Sequence, residues 1–392
     1  MYRNRNRKNP FAVALGGVAL AMTLAACGSS STGGSASTSS SASTSTSSTA
    51  GLPNVNYASA QVKKYSQTPT FTPPGPPVDV AKLKGDSIFN IPTSSSIPFC
   101  NTIDQDMKAI AQQAGLHFTE FSNQGLPSQW AAGVEQAISA HANLISLQCG
   151  ILPQTLAPQL SQARAQHILI AGSHLADVSY PKPALLNSLT AAQFDLAAKL
   201  MVDYAVQKQG GKAVNALVVT ANEVTPSNGM VSSIQSEMSK VCGPTCHVYV
   251  VNVPVTEWAT KIQSTVQSSL IAHPNINWVF PIYDGMALYA APGIAAAGKT
   301  SSVHIATYNG TPPALKLVKQ GSISMDVDEN PEWVAYVNMD EIFRDLAHMT
   351  PLKNPAGPLR VIDPANVGST GPNFSSGFGS SFVSGYRKLW GL

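Results

Sequence analysis

From Ser87 onward, short apolar runs alternate with stretches whose apolar residues recur at helical spacing, and this alternation leaves few folds open. Ile88 to Ile91, His117 to Phe121, Leu144 to Leu147 and Ile168 to Ala171 have the length and character of strands. Between them, Ile103, Met107, Ile110 and Ala114 share one helical face and stop at Gly115. Ser128 can cap a helix carrying Val134, Ala137 and Ile138, and Thr155 to Gln166 reads as a third helix. Such a βαβαβαβ order requires parallel strands, right-handed crossovers and helices on both faces. The pattern resumes after Asn187, with strands predicted at 214–220, 248–253, 278–282 and 303–308 and helices at 191–208, 229–240, 256–272 and 286–297. A helix at 313–319, a strand at 323–327, a helix at 331–347, a strand at 359–362 and an amphipathic piece at 386–390 follow. The expected fold class is α/β, two doubly wound parallel-sheet lobes joined by a hinge.

What precedes this region is of another kind. Arg3, Arg5, Arg7 and Lys8 form a basic start, Phe11 to Thr23 an apolar stretch, and small residues follow, the layout of an export signal. Leu24-Ala25-Ala26-Cys27 resembles the lipobox of bacterial lipoproteins, in which the cysteine is acylated, so 1–26 is expected to be a signal peptide and Cys27 a lipid anchor. The apolar run from Phe11 to Ala26 is 16 residues long, short of the roughly 20 needed to span a bilayer as a helix. From Ser29 to Ala50, 17 of 22 residues are Ser or Thr, which cannot build a core. Residues 54–64 could form a short helix, and Pro69, Pro73, Pro74, Pro76 and Pro77 then favour a stiff, extended chain. Residues 27–80 are therefore expected to be a tether, with folding starting near Val80.

Charge excludes one class of partner. The net charge is +3, and the four basic residues before Cys27 leave 3 − 4 = −1 for the rest, so nucleic acid has no basic footprint to bind. Only 11% of the residues are charged, against roughly 25% in ordinary soluble domains. A sparsely charged surface suggests an uncharged polar ligand.

With Cys27 assigned to lipid, Cys100, Cys149, Cys242 and Cys246 remain, an even number in an oxidising compartment. Two disulfides are the economical reading. Cys242-Gly-Pro-Thr-Cys246 can close locally across its turn, and Cys100 and Cys149 each follow an apolar run whose strands would be neighbours. A CxxxC redox or metal site and free thiols are the competing readings.

No phosphate loop, dinucleotide fingerprint, HExxH or GxSxG occurs, and nothing calls for a metal or an organic cofactor. Ser173-His174, with Asp177 nearby, invites a hydrolase reading, but adjacent residues cannot serve as nucleophile and base for one another. In open parallel sheets, ligands sit outside the carboxyl ends of the strands. The candidates are then Ser94 to Cys100, Cys149, Ser173, His174, Glu223 to Asn228, Trp258, Tyr283, Asp284, Asn309 and Asp328 to Asn330.

Four stretches carry a family resemblance: Ile91 to Phe99, His273 to Ala287, Tyr308-Asn309-Gly310-Thr311-Pro312, and Gln320 to Ile323 with Glu329-Asn330-Pro331. Together they resemble the type I periplasmic sugar-binding proteins, relatives of the ribose-binding protein, over about 82–362. The resemblance implies an N-terminal lobe of 81–187 plus 310–347 and a C-terminal lobe of 188–309 plus 348–392. It also implies a monomeric, non-enzymatic receptor that hands its ligand to an ABC permease. It places Phe99 and Trp258 as rings stacked on a sugar face, Asn309 at a ligand-binding aspartate, Glu329 at a glutamine and Tyr283 at an asparagine. Where sugar binders commonly carry an Asp-Arg pair, this chain has Ser173-His174, and the second expected arginine is replaced within Pro226-Ser227-Asn228. Loss of both guanidinium forks removes bidentate capacity, which opens the ligand to uncharged polyols, modified sugars, nucleoside-like molecules and signalling molecules. A lipoprotein that senses its ligand and signals to a membrane receptor is the alternative.

Overall fold

The structure, a computed structural model, describes residues 53–368 and 375–392; the signal segment, Cys27 and the Ser/Thr run lie outside the described residues. A first helix, α1 (Val55–Tyr65), is followed by the first lobe, a five-stranded sheet of β1 (Ser87–Pro92), β2 (His117–Glu120), β3 (Leu144–Gln148), β4 (Leu169–Asp177) and β5 (Ser188–Ala192). The helices α2 (Pro98–Gln113), α3 (Pro127–Ser139) and α4 (Ala157–Ala165) alternate with its strands. The second lobe is built from α5 (Phe194–Gln209), β6 (Asn215–Thr220), α6 (Ser227–Val241), β7 (His247–Asn252), α7 (Trp258–Ala272), β8 (Trp278–Pro281), α8 (Asp284–Ala296), β9 (His304–Asn309), α9 (Pro312–Lys319) and β10 (Met325–Asp328). Helix α10 (Pro331–Leu346) returns to the first lobe, β11 (Arg360–Ile362) adds an antiparallel edge to the second sheet, and α11 (Ser381–Trp390) packs beside α10.

The strand orders are β2-β1-β3-β4-β5 and β7-β6-β8-β9-β10-β11, so both lobes share one doubly wound plan. The order reverses between β1 and β3 in one sheet and between β6 and β8 in the other. Loops leaving those strands diverge to opposite faces, and a crevice opens where they part.

The chain differs from the sequence reading in where it crosses between lobes. Residues 188–192, expected to begin the second lobe, pair with β4 in the first sheet, and all five are buried. Ser188 and Thr190 reach α10 there, donating to Asp345 Oδ2 at 2.5 Å and Asn338 Oδ1 at 2.5 Å. Residues 310–328, expected in the first lobe, pack on the second: β10 pairs in parallel with β9, and Leu315 and Val318 fill the second core. Helix α11 belongs to the first core, not the second, with Trp390 stacked on Tyr336 at 5.4 Å.

The segment before Val80, expected to be a tether, is built into the fold from residue 53. Helix α1 sinks Ala58 and Val62 into the second core, and Lys240 Nζ donates to Tyr57 OH at 2.6 Å. The proline-rich stretch then crosses to the first lobe. Phe71 sets its ring against Tyr386 at 4.9 Å, Arg344 donates to the Pro76 carbonyl at 3.0 Å, and Val78 is buried. Each dock is apolar burial joined to hydrogen bonds, so the strap holds both lobes.

Candidate functional site

Between the lobes lies a cavity of about 480 Å³, its opening to solvent included, lined from both sides. Its walls come from the two reversal points: Thr93 and Phe99 beyond β1 and Cys149 beyond β3, opposite Val224 and Pro226 beyond β6 and Tyr283 and Asp284 beyond β8. A cleft of this size suits a small molecule.

On the first-lobe side, Pro98 opens α2 and Phe99 follows in its first turn. The Cys100–Cys149 disulfide ties that turn to the end of β3, Cα to Cα 6.0 Å apart. Phe99 meets the His174 ring edge-on at 5.2 Å, an arrangement favoured by the aromatic quadrupole. His174 has φ 53°, and the β4–β5 register shifts between Ser173 and Asp177, so the strand is locally irregular at the cavity wall.

On the second-lobe side, Trp258 heads α7, its indole N–H donating to the Val253 carbonyl at 3.1 Å. Its ring stacks with Tyr283 at 6.2 Å, and the Tyr283 hydroxyl lies 3.0 Å from Ser227 Oγ. A Cβ on Gly285 would come 3.3 Å from the indole, so the small residue there lets the helix approach the ring. Asp284 accepts the Thr311 N–H through Oδ2 at 2.6 Å, while Oδ1 has no partner. Burial pushes the Asp284 carboxyl up to about 7, against the opposing pull of the Thr311 and Gly285 hydrogen bonds.

A buried hydrogen bond between His174 and Glu329 spans the lobes. His174 Nε2 lies 3.1 Å from Glu329 Oε2, both side chains being buried. Glu329 Oε1 also accepts from the Tyr308 hydroxyl at 2.6 Å and from Asn309 Nδ2 at 3.2 Å. The carboxylate is thus surrounded by donors, and Nδ1 of His174, without a partner, is left for another group. Behind it, burial raises Asp326 and Asp328 well above the usual carboxylate range.

The structure therefore brings together Phe99, His174, Trp258, Tyr283, Asp284 and Asn309, all of which line the cavity. Glu329 stands just behind them, bonded to His174 and Asn309. Two expected site residues are placed elsewhere. Asn228 lies exposed in the first turn of α6, because that turn begins at Ser227 and aims its buried side at Tyr283. Ser173 is buried, outside the lining, with an unpartnered hydroxyl. Since His174 pairs with Glu329 and not with Ser173, the two do not form a nucleophile and base. Among the described residues no group of three His, Cys, Asp or Glu side chains could hold a metal ion. The second disulfide joins Cys242 to Cys246 away from the cavity. Phe194, which the sequence reading passed over, lines the cavity edge-on to His174 at 6.1 Å and to Tyr308 at 5.9 Å. Its only signal is its place as the first aromatic residue after the strand Ser188–Ala192.

A model of the periplasmic binding protein domain matches residues 88–344 of this chain. The chain belongs to the periplasmic binding protein family. Its two-lobed α/β fold is the type I form, as the sequence motifs imply. A stretch of 75 residues is 35% identical to the ribose import binding protein RbsB of Salmonella typhimurium, covering 19% of this chain and 25% of that protein. The match thus spans about a quarter of that relative. Among solved structures, the 5-methylthioribose transporter solute binding protein of Thermotoga lettingae, in complex with 5-methylthioribose, superimposes with a TM-score of 0.65 at 15% identity, covering 78% of this chain and 92% of that one. A Mycobacterium smegmatis protein in complex with β-D-fucofuranose gives 0.63 at 14% identity, covering 78% and 98%. An ABC transporter periplasmic solute binding protein from Actinobacillus succinogenes with bound D-allose gives 0.62 at 18%, covering 71% and 98%. At these identities the structures establish the fold.

Proposed function

We propose that this protein is an exported solute receptor that captures one small, neutral polyhydroxy molecule, a sugar or sugar-like compound, between its lobes and delivers it to an ABC importer. The observation that carries the reading is a cavity walled by aromatic rings of both lobes, Phe99 and Phe194 from one side and the crossing, Trp258 and Tyr283 from the other, with no lysine or arginine in its lining. Apolar C–H faces of a sugar ring are desolvated by such rings, and its hydroxyls find His174 Nδ1, Asp284 Oδ1 and Asn309 at the edge. The charge-poor lining favours a neutral ligand. Binding across the cleft stabilises the closed arrangement of the lobes, which a permease can recognise. Sugar-bound neighbours of the same fold, among them complexes with D-allose and 5-methylthioribose, support the ligand class. Acylation of Cys27 would hold the receptor at the outer face of the cell membrane. A thermal-shift screen of pentoses, hexoses, deoxy sugars and polyols tests the reading. At least one should raise the melting temperature by several degrees at millimolar concentration; a flat response across the panel would refute it.

A further inference from the structure

The inner cavity does not close the cleft. A second space of about 900 Å³, its opening to solvent included, adjoins it, sharing Thr93 and Val224. It too is walled by both lobes: Trp130, Leu152 and Thr155 on one side, Val224, Thr225 and Val255 on the other. A bond crosses it, Thr225 Oγ1 donating to the Gly150 carbonyl at 3.3 Å, so the lobes already touch while the space stays open.

The walls define what could lie there. The Trp130 indole is pinned by donating to the Thr93 carbonyl at 2.9 Å, which makes it a rigid apolar surface needing little ordering when a ligand arrives. Leu152, Val224 and Val255 add aliphatic area. The Thr93 hydroxyl donates to the Cys149 carbonyl at 2.5 Å and that of Thr155 to the Leu152 carbonyl at 2.7 Å. With Thr225 and Trp130, four side-chain donors point at protein carbonyls, leaving the threonine oxygens as acceptors. No lysine or arginine lines the space, and its one carboxylate, Glu223, already takes the Val255 N–H at 2.5 Å. An anion would find no counter-charge there, whereas a neutral ring bearing a few donors would find apolar contact and acceptors.

Building on the receptor reading, we propose that the natural ligand is a two-part neutral glycoside, with a sugar-sized head in the inner cavity and a second, uncharged ring in the outer space. The inner cavity sets which sugar is accepted, and the outer space sets what it carries.

The test is calorimetric titration of the full-length protein with matched probes: D-ribose, D-allose, D-glucose and D-galactose, their methyl and phenyl glycosides, the nucleosides adenosine and uridine, and glucose 1-phosphate. At least one glycoside or nucleoside should bind ten-fold or more tightly than its parent sugar, and glucose 1-phosphate should bind no better than glucose. Thr155→Trp fills the space from the first lobe and Thr256→Trp from the second; both positions are exposed, and either variant should erase the preference while leaving the parent sugar's affinity within two-fold. Parent sugars binding as tightly as every glycoside, or a preference that survives both variants, would overturn the two-part ligand and leave the sugar receptor standing. Binding of none of these probes would overturn the two-part ligand, and the receptor reading falls with it only if the thermal-shift panel of deoxy sugars and polyols is flat as well.

Discussion

The disulfide between Cys100 and Cys149 is a cross-link at the cavity wall, and its removal gives a prediction whose size follows from the chain. Both cysteines line the cavity, and they are 49 residues apart, whereas Cys242 and Cys246 are 4 apart. In the chain-entropy account a cross-link stabilises by restricting the unfolded chain, with an entropy of about −2.1 − 1.5R ln n cal/mol/K. Closing a loop of about 50 residues is then worth ~4 kcal/mol at 25 °C, and a loop of about 5 only ~2 kcal/mol. Alanine is the right replacement, because Cys100 and Cys149 are buried and a serine pair would leave hydroxyls to satisfy. Urea unfolding of Cys100→Ala/Cys149→Ala, followed by tryptophan fluorescence, should show a loss near 4 kcal/mol, and Cys242→Ala/Cys246→Ala about half that. The first variant should also bind ligand more weakly, since the bond fixes the turn that presents Phe99. A larger loss for the short loop than for the long one would refute the entropic reasoning. A loss below ~1 kcal/mol for the long loop would show that the bond does not constrain the chain.

Three further outcomes follow from the same geometry. Trp258→Phe keeps a ring against Tyr283 but removes the N–H donated to Val253; it should cost about 1 kcal/mol of stability with affinity nearly intact, while Trp258→Leu should weaken ligand binding at least ten-fold, measured by calorimetry. Burial holds Asp104 up to about 8 and Asp284 up to about 7, against 3.8 for an exposed aspartate. The folded chain therefore keeps protons that the unfolded chain releases near pH 4, and their stabilising contribution fades as pH rises towards 8, by up to about 1.4 kcal/mol per pH unit for each such group. The melting temperature should fall between pH 5.5 and 8.5, less steeply in Asp104→Asn; a rise over that window would contradict the assignment. Phe71→Ala removes the strap's half-buried ring from Trp333 and Tyr386 and should lower stability by about 2 kcal/mol, seen as a drop of several degrees in melting temperature, whereas a freely moving tether would leave it unchanged.

The sequence showed the repeating part of this fold because buried parallel strands such as Ile88 to Ile91 and Leu144 to Leu147 must be continuous apolar runs. Strand β5 escaped notice because Ser188-Leu-Thr-Ala-Ala192 holds one large apolar residue, and its burial comes from α10, whose Asn338 and Asp345 are about 150 positions away. The strap was hidden for a related reason: five prolines describe backbone stiffness, and only Phe71 hints that something docks. Within the site, the strand-end rule found Phe99, His174, Trp258, Tyr283, Asp284 and Asn309, since topology alone puts those positions at the crevice. It could not separate Asn228, which the first turn of α6 carries outward, from Val224 and Pro226, which line the cavity. Nor could it join His174 to Glu329, 155 residues apart, whose bond exists only because the lobes meet.

A crystal structure of the protein with the molecule that most raises its melting temperature tests the account most directly. A single ligand should lie between Phe99 of one lobe and Trp258 of the other, with a hydroxyl on Nδ1 of His174 or Oδ1 of Asp284. A ligand bound outside the cleft, or a cleft left empty while the ligand occupies another surface, would contradict it.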